Sequence, residues 1–261
     1  MRNGTTLTFT AAPSNNSGNN IFVYYVFRTV GTVGHPSNQA LSATTGTFSD
    51  NVTLTGTTPT LTIGDAGAED TKIVFDGNAQ DFHIGLDDSA DSLTIGLGSA
   101  LGTTSHMIFD ANGHITKPLQ SAFMVRSNQT QSNFTTGSFV TVDFHSERFD
   151  QNSDFDNTNM VFTAPVTGRY QFNILITPLE MDSAASYFQV IFDASNVVLQ
   201  AGLVDSDTVL NSDSAYYMFS GSSLIDMDAG DTCKIKVYQS GGTAQSDLGD
   251  GSATFSGYLV C

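Results

Sequence analysis

Apolar and polar residues alternate along most of the chain, which is the period of β-strands that bury one face. The alternation is clearest after Gly168, where Tyr170 and Phe172 are separated by polar residues. Pro165 lacks a backbone donor and is predicted to close the preceding strand, and Gly168 is predicted to supply the turn. No stretch of normal length shows the 3.6-residue period of an amphipathic helix. The pattern therefore predicts an all-β protein.

Composition and charge narrow the possible partners. Charged residues make up 13% of the chain, Trp is absent, and Gly, Thr, Ser, Asn and Asp dominate the polar fraction, which is typical of a turn-rich β-protein. The 26 acidic and nine basic residues give a formal net charge of −17. Such a chain repels phosphate backbones and anionic lipid, so we expect no nucleic-acid partner and interpret the acidity as a solubility device. No run approaches the roughly 18 apolar residues of a membrane span, and no signal peptide is expected at the N-terminus.

The N-terminal part of the chain divides into two segments. Residues 1–32 alternate and predict a β-hairpin, but two strands cannot bury both faces of the second one. Either a neighbouring subunit completes this sheet or the chain begins inside a longer fibre protein, and both interpretations make residues 1–32 a docking element. Residues 33–60 are rich in Gly, Ser, Thr and Asn and are predicted to be a linker with a short strand over 47–54.

Residues 61–118 contain an internal repeat. The sequence Leu61-Thr62-Ile63-Gly64 recurs as Leu93-Thr94-Ile95-Gly96, and Ile73-Val74-Phe75-Asp76 has its counterpart in Met107-Ile108-Phe109-Asp110. Each unit offers only short strands, which cannot enclose a core alone. The repeat predicts a trimeric β-shaft in which three copies bury Ile, Phe and Leu along a three-fold axis.

Three stretches of the C-terminal half resemble the signature of the C1q/tumour-necrosis-factor-like jelly roll: residues 162–172, residues 224–238 and residues 254–261. The resemblance implies that residues 119–261 form the two-sheet head of a homotrimer. It also implies that Cys233 and Cys261 lie on non-neighbouring strands of one sheet. We predict that both are free, structural thiols, because an unpaired Cys often acts as a small buried hydrophobe. Further head strands are predicted at residues 121–125, 139–144, 187–192, 197–201 and 216–219.

Two N-terminal stretches resemble bacteriophage proteins. Residues 1–32 resemble the end of a small β-domain common in phage tail and tail-fibre proteins, and residues 57–117 resemble segments of marine phage structural proteins. These resemblances imply a virion protein: a homotrimeric tail fibre or appendage that docks to tail or capsid proteins and binds a host-surface glycan or protein with its head. The alternatives are a capsid or tail decoration (cement) protein and, in another class, a cellular C1q-domain lectin.

No catalytic motif is present, since the chain lacks a Gly-x-Ser-x-Gly elbow, a His-Glu-x-x-His pair and a P-loop. We therefore predict no enzyme, no catalytic residues and no organic cofactor. The five histidines show no His-x-His spacing and are interpreted as structural. Two acidic stretches can be either solvated turns or Ca²⁺ loops, although neither has EF-hand spacing. Their carboxylates are Asp150, Asp154, Asp156, Asp205 and Asp207.

Aromatic residues and loops supply the remaining candidates. Recognition residues concentrate on loops held by a rigid scaffold, which favours Phe149, Phe155 and Asp213 as receptor-binding residues. Aromatic residues at strand period are expected in the core or at the trimer interface: Tyr170, Phe172, Phe255 and Tyr258.

Overall fold

A computed structural model describes residues 44–261. The chain divides into two compact units, Met1–Leu61 and Thr62–Cys261. The hairpin predicted over residues 1–32 lies outside the described residues. The short strand predicted over 47–54 is absent, since residues 44–61 contain no strand and Phe48, Val52 and Leu54 are exposed. A strand needs a partner for its backbone groups, and the described part of this unit provides none.

The second unit begins with a five-stranded antiparallel sheet, here called the N-terminal sheet. Its strands pair in chain order, and each neighbour is joined by a short connection. The two copies of the sequence repeat differ in structure, because Leu93–Gly96 lies in a strand whereas Leu61–Gly64 does not. The strands are β1 Thr71–Phe75, β2 Phe82–Asp87, β3 Ser92–Leu97, β4 Ser105–Asp110 and β5 Ile115–Thr116.

The head follows as two antiparallel sheets with one short helix. Its elements are β6 Ala122–Arg126, β7 Phe139–Thr141, β8 Ser146–Asp150, β9 Phe155–Asp156, β10 Val161–Thr163, β11 Gly168–Met181, β12 Tyr187–Ala194, β13 Val198–Val204, α1 Ser206–Val209, β14 Ser214–Tyr216, β15 Phe219–Met227, β16 Thr232–Ser240 and β17 Asp247–Leu259. Sheet I has the order β14-β11-β17-β6-β8, with β15 also paired to β11. Sheet II has the order β13-β12-β16-β10-β9, with β7 also paired to β16. Within residues 44–261, no helix is long and apolar enough to cross a membrane.

The two head sheets enclose an aromatic core. The Phe123 ring lies 5.0–5.3 Å from the rings of Phe155, Phe162 and Phe255, centroid to centroid. Tyr170 and Phe172 are fully buried, as their alternation predicts. Burying such large side chains is the main source of stability in a fold of this size.

The turn before β11 differs from the prediction. Gly168 is the first residue of β11, paired with Met227, and the turn itself covers residues 165–167. A Cβ atom on Gly168 would lie 2.7 Å from the carbonyl oxygen of Cys261. Glycine is therefore required for close approach of the chain terminus. The Tyr170 hydroxyl donates a 2.7 Å hydrogen bond to the carbonyl of Val166 and fixes this turn.

Two other predictions for the head are wrong. The strand expected over residues 216–219 is interrupted between β14 and β15, where the Tyr217 amide donates to the carbonyl of Pro178. The two cysteines do not share a sheet: Cys233 is buried in sheet II, whereas Cys261 is exposed after the last strand of sheet I. Both are free thiols, and burial raises the pKa of Cys233, which keeps it protonated.

Candidate functional site

The head has a base and a distal end. The chain enters at the base, where the Leu259 amide donates to the carbonyl of Ser121 and the Arg169 amide donates to that of Cys261. The 14-residue strand β11 then runs to the other end, a span of about 45 Å at the usual rise of a strand. There it pairs with Ser214 and Asp247. The distal end is therefore the part of the head farthest from the N-terminal sheet's connection.

A pocket of about 390 Å³ opens at the distal end, lined by Glu180, Asp213, Ala215 and Gln245. The side-chain Nε2 of Gln245 donates hydrogen bonds of 2.9 Å to Asp213 Oδ2 and 3.2 Å to the carbonyl oxygen of Glu180. Asp213 Oδ1 accepts hydrogen bonds from the amide and the hydroxyl of Ser183, at 2.9 and 2.8 Å. The bond from Gln245, followed by those from Ser183, holds the pKa of Asp213 below its ordinary value. The pocket thus presents a fixed, ionised carboxylate to solvent.

The loops beside this pocket are tied to one another. Asp182 is buried and accepts hydrogen bonds from the amides of Ala184 and Thr243. Gly242 has a φ of 69°, and a Cβ atom there would lie 2.9 Å from the Ala185 nitrogen. The Gln239 side chain donates to the carbonyls of Gly241 and Thr243. This network makes the distal surface rigid, which lowers the entropy cost of binding a ligand.

Two exposed apolar side chains that the sequence did not single out follow the pocket residue Ala215 along the chain. Tyr216 is 74% exposed and Met218 is 65% exposed, the highest values among the large apolar residues of the head. Tyr217 between them turns inward, with its ring 5.0 Å from that of Phe219. The sequence does carry a sign of these exposed residues: Tyr216 to Phe219 are four consecutive large apolar residues, which do not alternate with polar ones as in a regular strand. Glu180 and Gln245 gave no signal, because only the fold brings them to Asp213.

The three predicted receptor-binding residues lie in different places. Asp213 belongs to the distal pocket, as described. Phe149 is half exposed on β8, opposite Met124 on the outer face of sheet I. Phe155 is 5% exposed and stacks on Phe123. The interpretation of Phe155 as an exposed loop aromatic is wrong, because β9 pairs with β10 and directs its ring into the core.

The aspartates within residues 150–156 lie away from the distal end. The Asp150 carboxylate accepts hydrogen bonds from the amides of Asp154 and Phe155, at 3.0 and 2.9 Å. Burial raises the pKa of Asp154. Asp156 accepts hydrogen bonds from Asn159 and Thr158, which hold its pKa below the ordinary value. The carboxylates of Asp150 and Asp156 therefore organise the local turns.

The second acidic stretch lies at the distal end. Asp205 immediately precedes α1 without a side-chain capping bond. Asp207, in the first turn of α1, accepts a hydrogen bond from the hydroxyl of Thr208. The structure therefore separates the two acidic stretches. Within residues 44–261, no three His, Cys, Asp or Glu residues come together in a way that could hold a metal ion.

The outer face of sheet I carries apolar residues among small polar ones, and the Arg169–Asp226 ion pair lies on the same face. Tyr258 lies between Ala122 and Gln171 in register, and Gln171 in turn pairs with Leu224. Tyr258 is 48% exposed and is not a core residue, unlike the buried Tyr170, Phe172 and Phe255. The large apolar side chains of this face are Met124, Phe149, Leu175, Leu224 and Tyr258.

Comparison with known proteins gives a family match and structural neighbours. The sequence model of the C1q domain matches residues 122–260. The globular domain of zebrafish complement 1qA protein is 22% identical, covers 54% of this chain and 98% of its own, and superposes with a TM-score of 0.41. Murine APRIL, crystallised at pH 8.0, is 10% identical, covers 54% of this chain and 99% of its own, and has a TM-score of 0.40. No curated protein sequence matches the chain.

Proposed function

Because this chain belongs to the C1q domain family, we propose that it is a homotrimeric adhesion protein whose head binds a ligand with its distal loops. C1q/TNF-like domains generally form trimers, and the family is generally non-enzymatic. The observation that carries the proposal is the distal end of the head: it holds a fixed carboxylate at Asp213, and the segment that follows Asp213 exposes the side chains of Tyr216 and Met218. Exposed aromatic and apolar groups on a rigid frame are the usual anchors of a binding surface.

The trimer interface in this proposal is the outer face of sheet I. The half-exposed side chains of Tyr258 and Leu224 lie there among small hydroxyl and amide groups. Burying this face between copies removes apolar surface from water, and the small polar groups allow close approach. A three-fold arrangement places three distal surfaces on one particle, and multivalency then strengthens weak individual contacts.

The proposed biological setting is a bacteriophage virion. The support is the resemblance of residues 1–32 and 57–117 to phage tail-fibre and marine phage structural proteins. In this setting the N-terminal region docks to tail or capsid proteins, and the head is a tail-fibre or appendage tip that attaches to a glycan or protein of the host surface.

A binding screen of the full-length chain tests this function. Labelled protein is applied to whole marine bacterial cells and to an immobilised glycan panel, and the same protein is tested for its ability to block infection. We expect binding that is lost in the double variant Tyr216→Ala/Met218→Ala. The matched control is Val198→Ala, because Val198 is similarly exposed but lies near the base of β13.

Two results would overturn the proposal. Equal binding by the wild type and the distal double variant would show that the distal loops are not the ligand surface. Wild-type protein that neither binds cells nor blocks infection would favour the decoration or cement role.

A further inference from the structure

One face of the N-terminal sheet collects large apolar side chains. The cross-strand register places Ile73, Ile84 and Ile95 in one row, and Leu86, Leu93 and Phe109 in the next row on the same face. Ile73, Ile84, Leu86 and Leu93 are each 37–44% exposed. Neighbouring residues on one face of a sheet form a continuous patch. Soluble monomers rarely expose contiguous apolar patches of more than a few hundred Å².

The opposite face of the same sheet is already covered by the chain. His83 is fully buried there, and its Nδ1 lies 2.9 Å from the carbonyl oxygen of Gly98. Gly85 allows close approach, because a Cβ atom at that position would lie 2.7 Å from Leu101 Cδ2. Ser92 and Thr94 are also buried. The apolar face is thus the face that lacks a partner within the described part of the protomer.

The apolar face also differs from the rest of the chain in charge. The alternation of the strands directs Lys72, Asp87 and Asp110 away from the rows of Ile84 and Leu86. The chain has a net charge of −17, so two copies repel each other across most surfaces. An uncharged face is the surface on which copies of this acidic chain can meet with the least electrostatic repulsion.

The connection to the head is short and is hydrogen-bonded to the base of the head. Only residues 117–121 separate β5 from β6. The Gln151 side chain donates to the carbonyls of Lys117 and Gln120, at 2.8 and 2.7 Å, and the Gln120 side chain donates to that of Leu259. Trimerisation of the heads therefore brings three N-terminal sheets together at a high effective concentration.

We propose that the apolar face of the N-terminal sheet is a second trimerisation surface, which packs against the same face of the two other copies. This inference rests on the homotrimer of the proposed function. Three copies, rather than two, are required because pairing of two faces would leave the third exposed on the same three-fold particle.

Cysteine cross-linking of the full-length chain tests the packing directly. In a Cys261→Ser background, Ile84→Cys places a thiol on the apolar face and Lys72→Cys places one on the opposite face. We expect a short bismaleimide to give covalent dimers with Ile84→Cys and monomers with Lys72→Cys. The native Cys233 is buried and serves as the unreactive background.

The results separate this inference from the proposed function. If sedimentation shows a trimer but Ile84→Cys gives no more cross-linking than Lys72→Cys, the second surface is wrong and the head trimer stands. Coverage of the face by another part of the same chain would give this result. If the wild type sediments as a monomer, the homotrimer fails as well.

A second pair of variants gives an independent readout. Ile84→Asp/Ile95→Asp places charges on the proposed interface, whereas Val198→Asp places one at an exposed apolar site on sheet II. We expect the first variant to lower the thermal transition of the trimer by several degrees and the second to leave it nearly unchanged, by the usual scaling of stability with transition temperature. Equal transitions for the two variants would overturn the inference.

Discussion

At the scale of single residues, the carboxylates of Asp150 and Asp213 make different kinds of hydrogen bonds. Asp150 uses both carboxylate oxygens to accept bonds from backbone amides of its own turn. Asp213 instead joins three separate chain segments, through Ser183 and Gln245, and remains open to solvent. A carboxylate held in this way is suited to meet a cationic or hydroxyl-bearing ligand without a large entropy cost.

The Asp213→Asn variant should be less thermostable than the wild type at pH 7. The lowered pKa of Asp213 means that its ionised form stabilises the fold above the unfolded-state value, near 3.8. This contribution is lost as the pH falls through the folded-state pKa, so the difference between wild type and variant should vanish in stronger acid. Differential scanning fluorimetry from pH 2 to pH 7 measures it, with Asp207→Asn as the control. A difference that persists unchanged at pH 2 would contradict the assignment.

Removal of calcium should leave the thermal transition unchanged. The carboxylates of Asp150 and Asp156 are occupied by backbone amide donors. Asp205 and Asp207 lie at the other end of the head, so the two stretches cannot share one ion. Fluorimetry with EDTA, and again after addition of Ca²⁺, tests the point. A lower transition in EDTA that Ca²⁺ restores would contradict this expectation and show that the folded protein binds calcium.

At the scale of elements, the family signature is scaffold. Residues 162–172 supply the end of β10, a turn closed by the Tyr170 hydroxyl and the first core positions of β11. The C-terminal motif includes Gly257 on β17, where a Cβ atom would come 2.5 Å from Phe172 Cδ1 and 2.8 Å from Phe123 Cε1. Glycine is needed there because two aromatic rings pack directly on the backbone.

The Gly257→Ala variant should lose about 1–3 kcal/mol of unfolding free energy, because the added methyl group overpacks the aromatic core. Urea denaturation at a fixed protein concentration measures the loss. Gly46→Ala is the control, since its Cβ atom would meet only an ordinary contact at 3.6 Å. Equal stability of the two variants would show that the core relaxes around the methyl group.

The elements also show how far the sequence can be interpreted. Alternation at Tyr170 and Phe172 predicted β11, because strand period and burial coincide there. The internal repeat predicted strands less reliably, since Leu61–Gly64 has the same sequence as Leu93–Gly96 of β3 but forms no strand. The local sequence pattern does not determine which strands pair. For the same reason, the sequence alone predicted that Phe155 lies on an exposed loop. The distal pocket could not be predicted from the sequence for the same reason, because Glu180 and Gln245 contact Asp213 only after folding.

At the scale of the whole molecule, the outer face of sheet I and the apolar face of the N-terminal sheet are half exposed in the described part of one protomer. The proposed homotrimer would cover both faces around one three-fold axis. In that assembly the distal loops of three heads point away from the connection at residues 117–121. The acidic surface then keeps assembled particles apart and soluble.

The Tyr258→Asp variant should weaken the trimer without unfolding the head, because Tyr258 lies on the outer face of sheet I and outside the core. A charge buried at this interface would lack a partner. Sedimentation over a dilution series, with circular dichroism to check folding, measures the effect. Leu203→Asp is the control, since Leu203 is 44% exposed on the outer face of sheet II. Identical dissociation of the two variants would place the interface elsewhere.

The most direct test of the proposed homotrimer is the solution mass of the full-length wild-type chain, measured by sedimentation at micromolar concentration. One chain has a mass of 27.7 kDa, and we expect a single species of three times that mass. A stable species of 27.7 kDa under the same conditions would contradict the homotrimer, and with it the multivalent adhesion and the shared three-fold axis.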